Sequence, residues 1–148
     1  MFRKLLIGAA AGAAMIASSS AFAQGTAPEA KAMLEKAVAA VKADKAKAIA
    51  MFNKGEGGFK DRDLYPFCFN AADGIIVAGA GPNMGKDIRT LKDATGKVFG
   101  PDVYKAGQDS KISEVSYMFP KPGQTTPSAK TSYVTKVGDL GCGVGYYK

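Results

Sequence analysis

The chain has 148 residues, a formal net charge of +7, two cysteines and no histidine. Without histidine, Ser-His-Asp and Cys-His nucleophilic schemes are excluded and zinc or transition-metal sites are disfavoured, so neither an enzyme nor a bound metal or cofactor is expected. The lysines are scattered and no zinc-finger or helix-turn-helix pattern is present, which argues against nucleic acid and leaves a weak bias toward anionic partners.

The first stretch, from Met1, Phe2, Arg3 and Lys4 through an apolar run to Ala21, Phe22 and Ala23, has the charged start, short apolar middle and small-residue exit of a secretory signal peptide. The apolar run is shorter than the roughly 20 residues a bilayer needs, so no stable membrane insertion is expected. Removing 23 of 148 residues leaves 125, and loss of Arg3 and Lys4 leaves 18 basic against 13 acidic residues, a charge of +5. The expectation is a periplasmic or secreted soluble protein that begins at Gln24 and forms one domain over residues 24–148.

Residues 28–54 are loaded with Ala, Lys and Glu, and Leu34, Val38, Val41, Ala48 and Phe52 fall on one stripe at helical spacing. This predicts one long amphipathic helix, opened by Pro28, ended by Gly55, and open to a kink near Asp44. After a glycine break, residues 59–148 should form the sheet. Residues 64–70 alternate, with Tyr65, Phe67 and Phe69 on one face and Leu64, Cys68 and Asn70 on the other, and Asp73 and Gly74 turn the chain into a return strand over 75–80. Pro66 suggests a bulge or an amide with no ladder partner. Residues 79–100 read as glycine-rich loop whose spacing does not fit a phosphate loop, and 101–106 as a short helix.

Residues 112–119 and 131–137 then form a hairpin around a loop bearing Pro120, Pro122, Gly123 and Pro127. Alternation puts Ser113, Val115, Tyr117 and Phe119 on one face of its first strand and Thr131, Tyr133, Thr135 and Val137 on one face of its second. With Lys121 and Lys130 at the loop ends, this surface suits a small anion; the plain alternative is half-buried strand packing with basic residues in water. The last strand, 140–146, shows Leu140, Cys142, Val144 and Tyr146 on one side and Gly141, Gly143 and Gly145 on the other. Three glycines on one face call for the close approach of a helix or a ligand, and helix packing takes the larger share. Cys68 and Cys142 lie on separate predicted strands of an exported domain, so either a disulfide or two buried thiols fits. The sum is an α+β fold, a long N-terminal helix on a five-stranded antiparallel sheet.

The run DLYPFCFNAADGIIVAGAGPNMGKDIRTLKDATGKVFG, with ISEVSYMFPKPG, SAKTSYVTKV and the terminal GVGYY, resembles the single Cache domain, an extracytoplasmic relative of PAS sensor domains. The resemblance spans nearly all of the chain after residue 32. It implies a PAS-like sheet whose first and last strands are neighbours, which favours the Cys68 to Cys142 bridge. It also implies a pocket between the sheet and the irregular segment after the second strand. Carried over residue by residue, the ligand-binding positions are Tyr65, Phe67, Tyr117, Phe119, Lys130 and Tyr133. Phe119 stands where the family often has tryptophan, and GAGPNMGKD replaces a slightly longer loop with histidine and prolines. The expected function is an exported sensory domain for a small anionic metabolite, an organic acid or an amino acid. The alternative is a periplasmic module that partners a membrane sensor without a ligand of its own, and a homodimer is left open.

Overall fold

The structure, a computed structural model, describes residues 24–148 apart from Ala80. The expected signal peptide, 1–23, lies outside the described residues. Two helices, α1 (Ala27–Ala43) and α2 (Lys45–Lys54), precede strands β1 (Pro66–Asn70) and β2 (Ile76–Ala78). Two single-turn 3-10 helices and a short helix, α3 (Gly100–Ala106), follow, and strands β3 (Ser113–Pro120), β4 (Pro127–Val137) and β5 (Leu140–Tyr147) close the chain. The five strands form one antiparallel sheet in the order β2, β1, β5, β4, β3. First and last strands are therefore central neighbours, as the fold expectation had them.

The single long helix is corrected to two. Asp44 takes an extended conformation, with φ −161° and ψ 99°. Its amide still donates to Ala40 O at 3.0 Å, and its carboxylate accepts from Lys47 N at 3.1 Å. A residue whose side chain competes for backbone donors favours such a cap over a helix interior, so Asp44 ends α1 and starts α2. At the chain's entry, Thr26 and Glu29 form a capping box, and Arg62 holds Glu29 at 2.7 Å.

The apolar stripe works as its spacing demands. Leu34, Ala37, Val41, Ala48 and Phe52 join Leu64, Cys68, Leu140, Cys142 and Val144 in one core between the helices and the sheet. The other sheet face carries a second core, in which Phe67, Phe69, Val115, Tyr117 and Val134 meet Ile88, Phe99, Val103 and Ala106 from the segment between β2 and β3. The sheet is thus covered on both faces, by the long helical segment on one and by the irregular segment on the other. Pro66 pairs with Val144 at the first position of β1, and the bulge lies instead between Cys68 and Phe69 on the β2 side.

The cover over the second face is pinned at the Asp93 turn. Asp93, buried at 9% exposure, accepts from Thr95 N at 2.9 Å, Thr95 Oγ1 at 2.5 Å and Lys97 N at 3.0 Å, and its second oxygen accepts from Met118 N at 3.0 Å on the edge strand β3. The Thr95 hydroxyl first, then the Met118 amide, holds the Asp93 carboxyl below the ordinary aspartate range. A carboxylate whose folded pKa is depressed contributes stability that is complete above its unfolded value of about 3.9 and is lost as pH falls through the folded value. Thermal melts in an acid series should therefore show Tm falling below about pH 4, with a shallower fall in Asp93→Asn. An equally steep fall in the variant would assign acid sensitivity elsewhere.

Candidate functional site

The second sheet face holds an inward-pointing lysine. Lys130 on β4 pairs across the sheet with Tyr117 on β3 and Tyr147 on β5, so the three side chains stand in a row on one face. Lys130 is 3% exposed. Its Nζ donates to Tyr65 Oη at 3.2 Å and lies 4.7 Å from the Tyr65 ring centre, 4.9 Å from that of Phe119 and 5.3 Å from that of Tyr147. Aromatic faces attract a cation but donate no counter-charge. No Asp or Glu forms an ion pair with Lys130 among the described residues.

The glycine face of β5 explains how the stem fits. A side chain at Gly145 would strike Lys130 Cε and stand 2.6 Å from Ser132 Oγ, one at Gly143 would stand 2.5 Å from the Phe67 ring, and one at Gly141 would strike the Phe69 ring. The expectation that these glycines admit a helix is corrected, since α1 packs on the opposite face, with Leu140, Cys142 and Val144. The bare face receives side chains from β1 and β4, because a pleated strand can let large neighbours cross it only where Cβ is absent. Gly141 also meets the Gly107 backbone just past α3, a limited version of the expected close approach.

Burial works against the Lys130 charge, while Tyr117, Tyr65 and Tyr147 shift it above the ordinary lysine range through the charge they carry when ionised, so the ammonium persists at neutral pH without a counter-charge from them. Burial pushes Tyr117 up, and pushes Tyr147 up to about 12, so both hydroxyls remain protonated at neutral pH. Tyr117 Oη shares a hydrogen bond with Ser132 Oγ at 2.8 Å, and Tyr147 Oη donates to Pro120 O at 2.7 Å. These bonds fix both rings beside the ammonium. An ammonium has three donors, and only Tyr65 accepts from this one among the described residues.

Around the ammonium is a narrow chamber of about 30 Å³, walled by Phe67, Ile76, Ile88, Phe99, Tyr117 and Phe119. Phe99 and Tyr117, stacked at 4.1 Å with planes 3° apart, form one wall of it. The space left is about that of one water molecule. Tyr65, Gly79, Asn83 and Phe119 line both this chamber and a larger, open cavity of about 580 Å³ under α2 and the β3 to β4 loop.

Of the six residues expected at the site, Tyr65, Phe67, Tyr117, Phe119 and Lys130 come together around this chamber. Tyr133 does not. It sits three residues from Lys130 on the same strand, hence on the other face, where its ring lies 5.8 Å from Tyr146 beside the helix-side core. Period-2 alternation forbids both from facing one pocket, so the placement of Tyr133 is corrected. Tyr147, Phe99 and Asn83 were missed. Tyr147 continues the glycine face of β5 and was reachable by alternation; Phe99 and Asn83 lie in irregular backbone, where no period speaks. The Cys68 to Cys142 bridge forms across directly paired positions of β1 and β5, with both residues 0% exposed.

Comparison with known proteins fits this architecture. The family model "Single Cache domain 2" matches residues 11–147. Among solved structures, a methyl-accepting chemotaxis protein from Vibrio parahaemolyticus RIMD 2210633 is similar at 23% identity and a TM-score of 0.65, over 81% of this chain and 86% of that one. A periplasmic sensor domain of a chemotaxis protein is similar at 20% identity and a TM-score of 0.61, over 79% and 86%. A Cache chemosensory domain described for its carboxylic acid recognition is similar at 21% identity and a TM-score of 0.59, over 79% and 84%. No curated protein matches the chain.

Proposed function

Because the chain belongs to the single Cache domain family, whose members are extracytoplasmic sensory domains, we propose that it senses a small organic acid, held by its carboxylate at the Lys130 ammonium. The observation that carries this reading is a buried cation with, among the described residues, one hydrogen-bond acceptor and no counter-ion. Such a group is costly alone and is relieved by an anion that satisfies its remaining donors. Tyr65 supplies a polar contact beside it, while Phe119 and Phe67 present apolar surface, the usual division of labour in a small-molecule site. An amino acid fits less well, because among the described residues neither cavity is lined by an Asp or Glu that would pair with an α-ammonium. The similar Cache domain described for carboxylic acid recognition supports the same ligand class. No helix of the described residues is long and apolar enough to cross a membrane.

The test is a thermal-shift and calorimetric screen of acetate, propionate and lactate against alanine, serine and methylamine. A ligand specific to the folded state raises stability by about 2.7 kcal/mol at a hundred times its Kd. Acids should raise Tm and amines should not. Stabilisation by the amine alone would overturn the reading, and a flat screen with folded protein would favour the partner module.

A further inference from the structure

Terminal segments are usually loose unless something ties them down, and residues 24–29 are tied down. Arg62 Nη1 donates to Gln24 O at 3.3 Å and Gly25 N donates to Asp63 Oδ1 at 2.7 Å, so the peptide between Gln24 and Gly25 is gripped on both sides. Gly25 is buried, and a side chain there would strike Leu64. The capping box of Thr26 and Glu29 follows at once, and Glu29 returns to Arg62. Asp61 and Leu64 close the loop that carries these groups with backbone bonds of 3.1 and 2.8 Å. Within it Arg62 takes φ 57°, the only non-glycine residue in the left-handed region among the described residues. Such a conformation persists only where the surroundings over-determine it. One group of the loop is unsatisfied: Asp63 Oδ2 is buried and, among the described residues, accepts no hydrogen bond and joins no ion pair. A buried carboxylate oxygen without a donor is costly.

We propose that cleavage between Ala23 and Gln24 by a signal peptidase creates the missing donor, and that the new α-ammonium of Gln24 pairs with Asp63 Oδ2. In that step water adds across the peptide bond, its hydroxyl going to the Ala23 carbonyl carbon and a proton to the Gln24 nitrogen. At neutral pH the products are a carboxylate and an α-ammonium. The Ala21, Phe22, Ala23 exit places the cut there, and the seat begins at the next residue. Gly25 N already sits on Oδ1, so the Gln24 nitrogen is one residue upstream, at most about 3.8 Å along the chain. Rotation about the Gln24 Cα–C bond is the one torsion that positions it against the gripped peptide. Before the cut this nitrogen is a neutral amide with one donor; after it, a charged group with three. Glu29 and Asp61 do not compete for it, because Arg62 holds both, at 2.7 and 3.0 Å. Cleavage thus completes the seat of α1 as well as releasing the chain.

The test starts from the full chain, exported by a Gram-negative host and recovered from its periplasm. Intact mass should place Gln24 first; another first residue, or an uncut chain, overturns the inference. Glutaminyl cyclase then removes the α-ammonium selectively: the Gln24 nitrogen attacks its own side-chain carboxamide carbon, ammonia leaves, and a neutral lactam remains. The lactam form should melt about 3 to 5 °C below the mock-treated chain, the range for one partly exposed ion pair in a chain of this size. No difference overturns the pair. In Asp63→Asn the two forms should melt together, and an equal difference in both backgrounds overturns it, since the lactam would then act elsewhere. Should that variant fail to fold, pH decides in the unmodified chain. An α-ammonium that gains a partner has its pKa raised, so its stability is complete below the unfolded value of about 7.7 and is lost as pH rises through the folded one. The gap between amine and lactam forms should be full at about pH 6 and gone by about pH 10.5. Arg62, Glu29 and Asp61 face the same seat and do not change charge over that range, and every other group titrates in both forms. A gap that persists at the upper pH overturns the pair.

Discussion

Replacing Cys68 and Cys142 together by alanine is expected to lower stability by about 4 kcal/mol. The bridge joins residues 74 apart in sequence, and a loop of that length restricts the unfolded chain considerably. It also ties the two strands at the sheet's centre, at positions directly opposite in the β1 to β5 ladder. The bridge lies on the helix-side face, among Leu64, Ala78, Leu140 and Val144. Breaking it should thus loosen the seat of α1 and α2 before the opposite sheet face. Denaturant unfolding of the double variant, and of the unmodified chain with and without a strong reductant, measures the loss. A change under 1 kcal/mol, on the order of an ordinary surface substitution, would show that the ladder and core hold these strands without the covalent link.

Lys130→Met should abolish most carboxylate binding while leaving the fold intact or more stable. Removing one partner of a charged hydrogen bond costs about 1.5 to 3 kcal/mol, a roughly 10- to 150-fold loss of affinity. In the ligand-free protein the same change replaces a buried cation that has no counter-ion by an apolar side chain of similar length, which is commonly neutral or stabilising. The opposite signs separate a ligand anchor from a structural lysine: affinity falls while Tm holds or rises. A fall in both would mean that the cage of Tyr65, Phe119 and Tyr147 is built on the cation. Gly145→Ala gives an independent route to the same site. The new methyl group lands on the Lys130 stem, so it should weaken acid binding without removing the charge. Unchanged affinity there would show that the stem can shift and still present its ammonium.

Much of the fold was legible in the residues. Alternation over β1 correctly divided Phe67 and Phe69 from Cys68, and the same rule placed Val115, Tyr117 and Phe119 on one face of β3. The helix was read correctly as amphipathic and its interruption placed at Asp44, but as a kink and not a full break; the cost of the break is offset by contacts that α2 makes beside β2, where Asn53 bonds Val77 O at 3.1 Å and Gly79 N at 3.0 Å. The residues that gather around the chamber were legible in their aromatic and basic types, apart from Tyr133, where alternation within a single strand was enough to refuse it.

The sequence by itself determined the periods: which residues of each strand share a face, which stripe of the helices is buried, and where turns must fall, since these depend only on local backbone geometry. Tertiary structure alone decided which face meets which cover. The glycines of β5 announced a close approach, yet only the strand order shows that Phe67, Phe69 and Lys130 make it and that the helices lie behind. In the same way, nothing local makes a lysine buried. Lys130 is buried and, among the described residues, without a carboxylate partner because Tyr117 and Phe119 of β3, Tyr147 of β5 and Tyr65 before β1, brought from three separate segments, enclose it, and burial is a property of long-range packing that no window of sequence contains.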